Sequence, residues 1–392
     1  MKSSKYNRRK FIRSATAATS AAGLLSVFPK ELLADNRDKV YASEPINSIA
    51  KNPEPKINFS VIGINHGHIY GQADAVICGG GQLVSFHAKE DDLAAAFSKK
   101  YPQAKRVTGE KEILEDKSVQ LVLSSIIPNE RAQLGIRVMQ HEKDYMSDKP
   151  GITSLEQLAE VRRVQKQTGR IYSIMFSERL ENKATVKAGE LVKAGAIGKV
   201  IQTIGLGPHR ISLSTRPPWF FDKKYFGGII TDIASHQFDQ FLFFTGSAKA
   251  EVVFSQTGNV AHPQYPKFED FGDVTINGDG GTGYIRVDWF TPDGLQTWGD
   301  GRLTILGTEG FIEIRKNIDI AGRPGANHLF VVNGKETQYI DCSNVVLPYG
   351  EQLVNDVVNR TQTAMTQEHC FLATELALKA QKQAKKLVLN KA

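Results

Sequence analysis

Three side chains in one short run have the types and spacing for acid–base chemistry. Asp232, His236 and Asp239 fall at i, i+4 and i+7 within a stretch that opens on Gly227-Gly228. Ile229, Ile233 and Phe238 supply an apolar side, so the periodicity predicts a helix with the three polar groups on one stripe. A carboxylate one turn before a histidine can hold the ring in one tautomer and favour its protonated form. A histidine so placed is a general base for a hydroxyl proton. The same spacing suits a surface helix with an i, i+4 ion pair and an aspartate near its positive end. A second candidate is Lys149, at the end of a short strand that runs into Pro150. A residue before proline is held extended; the alternative is a surface lysine in a turn.

These groups need elements to position them. Residues 57–62 read as a strand that runs into Gly63-Ile64-Asn65-His66-Gly67-His68 and an apolar-periodic segment through Ile77. Strands at 83–87 and 119–127 alternate with helices at 91–100 and 132–140, which predicts a parallel, doubly wound sheet. In such a sheet a ligand lies at the carboxyl ends of the strands. A phosphate-binding turn there reads G-x-G-x-x-G; the matching positions are Gly63, Asn65 and His68, with Gly67 and Gly71 displaced. Asparagine tolerates unusual backbone angles, so the turn is still feasible. Where a ribose-binding acid is expected stands Ala88, followed by Lys89 and Glu90. Glu90 would favour NAD and Lys89 would favour NADP, with NAD slightly favoured. His66 and His68 at i, i+2 are weak grounds for a metal, and none is expected.

The chain has 392 residues, enough for two domains. Its net charge of +7 is misleading, because residues 1–34 hold seven of the Lys and Arg and one acidic residue. The remainder, 42 basic against 41 acidic, gives no reason to expect a nucleic-acid partner. Asn7-Arg8-Arg9-Lys10-Phe11-Ile12 followed by a mild apolar run resembles a twin-arginine (Tat) export signal. It implies the Tat machinery as a partner and a periplasmic location, where a redox enzyme must keep its cofactor bound. Residues 35–56, polar and with three prolines, read as a linker. Cys78, Cys342 and Cys370 suggest no disulfide framework and read as small buried apolar residues.

The second half differs. After a helix at 184–193, strand candidates follow at 200–206, 250–256, 273–276, 282–289, 303–306 and 311–314. They predict an antiparallel sheet, and a last helical stretch spans 351–386. His209 and Arg210 after the first of these strands, and Trp219 and Tyr225 before the glycine pair, are candidates for stacking on and bonding a sugar. The aromatics would equally suit a core, and Trp289 and Trp298 read as structural. His87, His141, His262, His328 and His369 lack a partner pattern and read as ordinary residues.

Together the turn at Gly63, the Asp148-Lys149-Pro150 run and Gly227-Gly228 with Asp232 and His236 resemble the Gfo/Idh/MocA family. Its pattern is a Rossmann turn, then E-K-P, then G-G-x-x-x-D-x-x-x-H. The resemblance covers about residues 57–388, and Pro128-Asn129 and the segment 195–199 are also similar. It implies an N-terminal Rossmann domain over 57–180 and an α+β domain over 181–392 with an open, mostly antiparallel sheet and a homo-oligomeric state. It further implies bound NAD or NADP, contacted by Gly63, Asn65, His66, Gly67, His68, Glu90, Pro128, Asn129 and Lys149. His236 would take a hydroxyl proton, Lys149 would stabilise the reacting oxygen, and Asp232 would orient either of them. The reading is an exported oxidoreductase acting on a sugar, glycoside or polyol. One alternative is a glycosidase that oxidises its substrate transiently, eliminates and re-reduces; another is a sugar-binding protein without catalysis.

Overall fold

The computed structural model describes residues 55–389. The export-like segment 1–34 and nearly all of the linker lie outside the described residues. The first sheet contains β1 (Ile57–Ile62), β2 (Gly81–His87), β3 (Lys105–Arg106), β4 (Leu121–Ser124), β5 (Asp144–Asp148) and β6 (Tyr172–Met175). Its connections are α1 (His68–Cys78), α2 (Asp91–Lys100), α3 (Glu110–Glu115), α4 (Pro128–Gln140) and α5 (Leu155–Thr168). The strand order is β3-β2-β1-β4-β5-β6, and every pair is parallel. This is the expected doubly wound sheet, with helices on both faces and β4, β5 and β6 buried throughout. Phe59, Phe86 and Phe97 are fully buried, each worth roughly 2–3 kcal/mol, and they pin α2 to the strands beneath it. The strand expected at 119–127 stops at Ser124, because Ile126 turns out of the sheet to pack over Gly63.

α6 (Ser177–Leu180) and α7 (Lys183–Lys193) lead to the second sheet. The side chain of Asn182 starts α7 by accepting from Thr185 N at 2.9 Å. The strands are β7 (Val200–Pro208), β8 (Ala250–Gly258), β9 (Phe271–Gly278), β10 (Gly281–Asp288), β11 (Arg302–Gly307), β12 (Gly310–Arg315), β13 (His328–Asn333), β14 (Thr337–Asp341) and β15 (Lys385–Lys386). Their order is β14-β13-β12-β11-β7-β10-β9-β8-β15, antiparallel except at β7–β10 and β8–β15. Alternation along the strands buries Val274, Ile276, Ile285, Val287, Leu303, Ile305, Ile312 and Ile314 and leaves Ile201, Leu306 and Phe311 exposed.

The helices of this half are α8 (Lys223–Phe226), α9 (Ser235–Thr245), α10 (Tyr349–Asn359) and α11 (Gln367–Gln383). Two expectations need correction. The final helical stretch is two helices, divided where Arg360 turns left-handed (φ 57°) and Thr366 caps the second by accepting from His369 N at 3.1 Å. The helix expected after the glycine pair begins as a π-helical turn, Ile230–Ala234, and becomes α-helical only at Ser235. α11 packs on β8 and α9 of its own half and on α5 and β6 of the first. One apolar cluster therefore runs from Phe59 through Phe238 to Val274. Among the described residues no helix is long and apolar enough to cross a membrane. Cys342 and Cys370 are buried, whereas Cys78, against expectation, ends α1 exposed.

Candidate functional site

Lys149 follows β5 directly and is 7% exposed. Its Nζ donates to Asp232 Oδ1 at 3.2 Å, joining the two halves of the chain. Arg131 on α4 sets the backbone that carries this lysine. Its guanidinium donates to the carbonyls of Ile126 (2.6 Å) and Lys149 (2.5 Å) and to Asp148 Oδ2 (3.1 Å). Arg131 is 1% exposed, and a charge so buried must be paired. The sequence offered no pattern that marks it.

Asp232 and His236 share the catalytic-looking run but are not bonded to one another: Asp232 lies in the π-turn and is taken by Lys149. His236 is 2% exposed, and its Nδ1 is buried without a partner, which leaves Nε2 as the less enclosed nitrogen. Burial pushes its pKa down to about 3, with Glu178 opposing and Lys149 adding to the fall. The expectation that Asp232 favours a protonated ring is therefore corrected: His236 is neutral and able to accept a proton. Asp239, expected on the same stripe, instead forms a buried pair with Arg179 (2.6 and 2.7 Å) and bonds His369 Nε2 at 2.8 Å. His369 is thus a partnered residue, as is His262, whose Nδ1 lies 2.8 Å from Asp270.

The start of the π-turn is held from a distance. Gly227 and Gly228 both take positive φ, 87° and 95°, and a Cβ on Gly228 would collide with the Gln381 side chain. Gln381 Oε1 accepts from Ile230 N at 2.9 Å, and Glu269 Oε2 accepts from Ile229 N at 3.1 Å.

At the carboxyl end of the first sheet, Gly63 has φ 77°, and a Cβ there would stand 2.8 Å from Ile126 Cβ. Only glycine suits that position. Asn65 keeps an ordinary negative φ; its side chain is what matters, donating to Glu90 Oε1 at 2.8 Å. Gly63, Asn65, Ala88, Lys89, Glu90, Ile126 and Ile127 line a cleft of about 330 Å³. His87, read as ordinary in the sequence, lines it too, as does the ion pair of Arg137 with Glu110. Pro128 opens α4 beside it, and Asn129 Oδ1 is a buried acceptor without a partner. Gly67 sits at the head of α1. His66 and His68 both turn Nδ1 toward Asp148, at 3.2 and 2.8 Å. These three could in principle surround a metal, but Arg131 already neutralises Asp148 and Lys149 adjoins it, so no surplus negative charge awaits a cation. Burial and His68 push the His66 pKa down to about 4.

His209 lies within electrostatic reach of Lys149, Glu178 and Asp232. Burial, then Lys149, lowers its pKa to about 4, and its ring packs on Trp298 (4.6 Å) and Trp289 (5.4 Å). Trp289 is buried and structural, whereas Trp298 is 38% exposed. Arg210 is committed elsewhere: its guanidinium donates to the carbonyls of Pro292 and Leu295. Trp219 packs on Phe220, and Tyr225 lies under Lys224. Among the described residues neither shares a ring contact or hydrogen bond with Lys149, His209 or His236. Sequence reasoning missed Glu178 and Lys316, which form a buried pair at 2.5 Å behind His236. They are 138 residues apart, and no local signal links them.

A parallel sheet with a glycine turn over a polar cleft, joined to an open sheet that contributes a histidine and an aspartate, defines a two-part Rossmann-type protein. Residues 185–313 match the GFO/IDH/MocA C-terminal domain. A crystal structure from Erwinia carotovora atroseptica SCRI1043, assigned as a candidate oxidoreductase, is 45% identical. It covers 85% of this chain and 100% of its own at a TM-score of 0.82. The chain belongs to the Gfo/Idh/MocA family of oxidoreductases. The NAD(+)-dependent scyllo-inositol 2-dehydrogenase of Bacillus subtilis is 29% identical over 209 residues, which are 52% of this chain and 57% of that protein. The D-xylose dehydrogenase of Paenarthrobacter nicotinovorans is 24% identical over 36% of this chain and 37% of its own. The match thus spans little more than half of the first of these relatives and about a third of the second. A levoglucosan dehydrogenase with NADH and levoglucosan shares the fold at a TM-score of 0.70 and 14% identity.

Proposed function

We propose that the protein is an NAD(P)-dependent oxidoreductase acting on a hydroxyl of a sugar, glycoside or polyol, with a tightly held cofactor. The observation that carries this reading is the convergence of Lys149, Asp232 and His236, drawn from the two halves of the chain, around one buried centre. The cleft suits a dinucleotide: Gly63 leaves room for a close approach, and Glu90 has a second carboxylate oxygen for a ribose hydroxyl. Gly67, His66 and His68 stand where a pyrophosphate would lie, and Pro128 and Asn129 border it. Of the charged residues lining the cleft, Glu90, Glu110 and Glu130 outnumber Lys89 and Arg137, which favours NAD over a cofactor with an additional phosphate. NAD(P) bound there would supply the hydride acceptor.

The chain's own groups supply the rest. His236, neutral and buried, takes the hydroxyl proton at Nε2. The ammonium of Lys149 donates to the reacting oxygen and offsets charge that builds there. Asp232 aims that ammonium. His209 and Trp298 form the wall on which a sugar ring would rest. Export by the Tat route to the periplasm, and association into a homo-oligomer, belong to the same proposal. They are supported by the Arg8-Arg9 segment and by the exposed apolar residues of the second sheet.

The test starts with full-length protein. It is denatured, and the released nucleotide is identified by mass. Intact protein is then offered scyllo-inositol, D-xylose and aryl glucosides while absorbance at about 340 nm is followed. Recovery of NAD and its reduction by one of these compounds support the reading, and protein without nucleotide ends it. Release of an aglycone with no net reduction would indicate the glycosidase instead.

A further inference from the structure

An imidazolium at His236 would form in a buried place, where a lone charge is costly. The two carboxylates nearest in the chain, Asp239 and Asp232, are engaged by Arg179 and Lys149. A second carboxylate arrives from another element. Glu178 on α6 is buried, and its Oε2 accepts from Lys316 Nζ (2.5 Å), Gln237 Nε2 (2.8 Å) and Gln240 Nε2 (3.4 Å). Gln237 and Gln240 follow His236 on α9, and Gln240 Nε2 also donates to the His236 carbonyl at 2.9 Å. Lys316 closes the ring by donating to Gln240 Oε1 at 2.8 Å. A network needed only for packing could be neutral and cost less to bury.

We infer that Glu178 is a positioning residue for His236: it fixes the helical turn that bears the imidazole and is the counter-charge for the imidazolium formed when the substrate proton arrives. This rests on the reading of His236 as the base. The charged and titratable groups that face the ring are Glu178, Lys149, His68 and Lys316, with Asp232 on the preceding turn. After burial, Glu178 has the largest influence on the ring, and it favours the charged form where Lys149, His68 and Lys316 oppose it. Glu178 itself stays ionised: burial would raise its pKa, but Lys316 and the neighbouring imidazoles bring it down to about 2. Lys316 therefore moderates Glu178, and the two residues act on His236 with opposite signs.

That opposition supplies the test, made on the full chain with its bound nucleotide and the inositol, xylose and glucoside panel above. Glu178→Gln keeps size and acceptor oxygen but removes the charge. It should lower kcat about tenfold with KM and bound nucleotide unchanged. Lys316→Gln should do the reverse to the base and move the acid limb of the kcat–pH profile upward by about one unit, a tenfold gain in proton affinity. If both variants lose kcat or stability together and the acid limb stays in place, the network is structural and the inference fails. Should Glu178→Gln not fold, the sign of the Lys316→Gln shift decides alone; no shift, or a downward one, overturns it. His236→Ala separates the two levels. Full turnover there removes the base assignment itself, whereas its loss beside an unaffected Glu178→Gln removes only the role given to Glu178.

Discussion

The contact between Lys149 and Asp232 can be weighed by a double-mutant cycle. At 3.2 Å, and with an effective dielectric of about 20, the pair attracts by roughly 5 kcal/mol. The side chains are 7% and 13% exposed, so solvent screening is slight. Removing one member strands the other charge, a loss of about 3–5 kcal/mol in buried pairs. Asp232→Asn keeps an acceptor oxygen and should cost about 3 kcal/mol; Lys149→Met should cost a similar amount. The double variant should then be little worse than either single one, giving a coupling energy of about 3 kcal/mol. Urea unfolding of the four proteins at neutral pH measures it. A double variant that costs the full sum, with coupling under about 0.5 kcal/mol, would refute the pairing. A parallel cycle between Asp232 and His236 should be additive. Strong coupling there would restore the arrangement expected from an unbroken α-helix.

Three further outcomes follow from the geometry. Burial, with Asp148 and Asp74 adding and His68 opposing, raises the Glu181 carboxyl from its ordinary 4.5 to about 7. The native state thus holds that proton more firmly than the unfolded chain does. The resulting stability is complete below about pH 4.5 and is lost as pH rises through 7, by at most about 3 kcal/mol. Glu181→Gln should accordingly melt higher than the parent at pH 8 and equally at pH 4, in thermal scans across that range. Gly63→Ala must place a Cβ at φ 77° against Ile126 and should cost about 3 kcal/mol and strip the nucleotide, checked by unfolding and by absorbance of the purified protein. Asn65→Gly frees Glu90. It should weaken NAD binding about fivefold to tenfold by calorimetry while leaving NADP no weaker, and an unchanged NAD affinity would show that Glu90 needs no partner.

The alternation of strands and helices was legible because parallel strands buried on both faces leave apolar runs, such as Leu121-Val122-Leu123, at regular intervals. Lys149, Asp232 and His236 could be picked out as well, since each sits in a short run with its own glycine or proline signal. Their pairing could not. Asp232 is taken by Lys149, 83 residues away, and helix periodicity shows neither that partner nor the π-turn at Ile230–Ala234. The turn itself is stabilised by Gln381 and Glu269, far away in the chain. A similar distance hid Glu178 with Lys316, whereas Arg131 and Asp148 are only 17 residues apart but lie on different elements with no shared pattern. Arg210 misled because an arginine after a strand looks available for a ligand until its own carbonyl partners, Pro292 and Leu295, are seen.

The hold that α11 keeps on the π-turn bears on the order in which the working protein comes together during translation. Gln381 cannot reach Ile230 until α11 itself has left the ribosome. Until then the histidine that must accept a proton is still unplaced, and β6 lacks the helix that covers it. Nascent protein arrested before α11 should be inert.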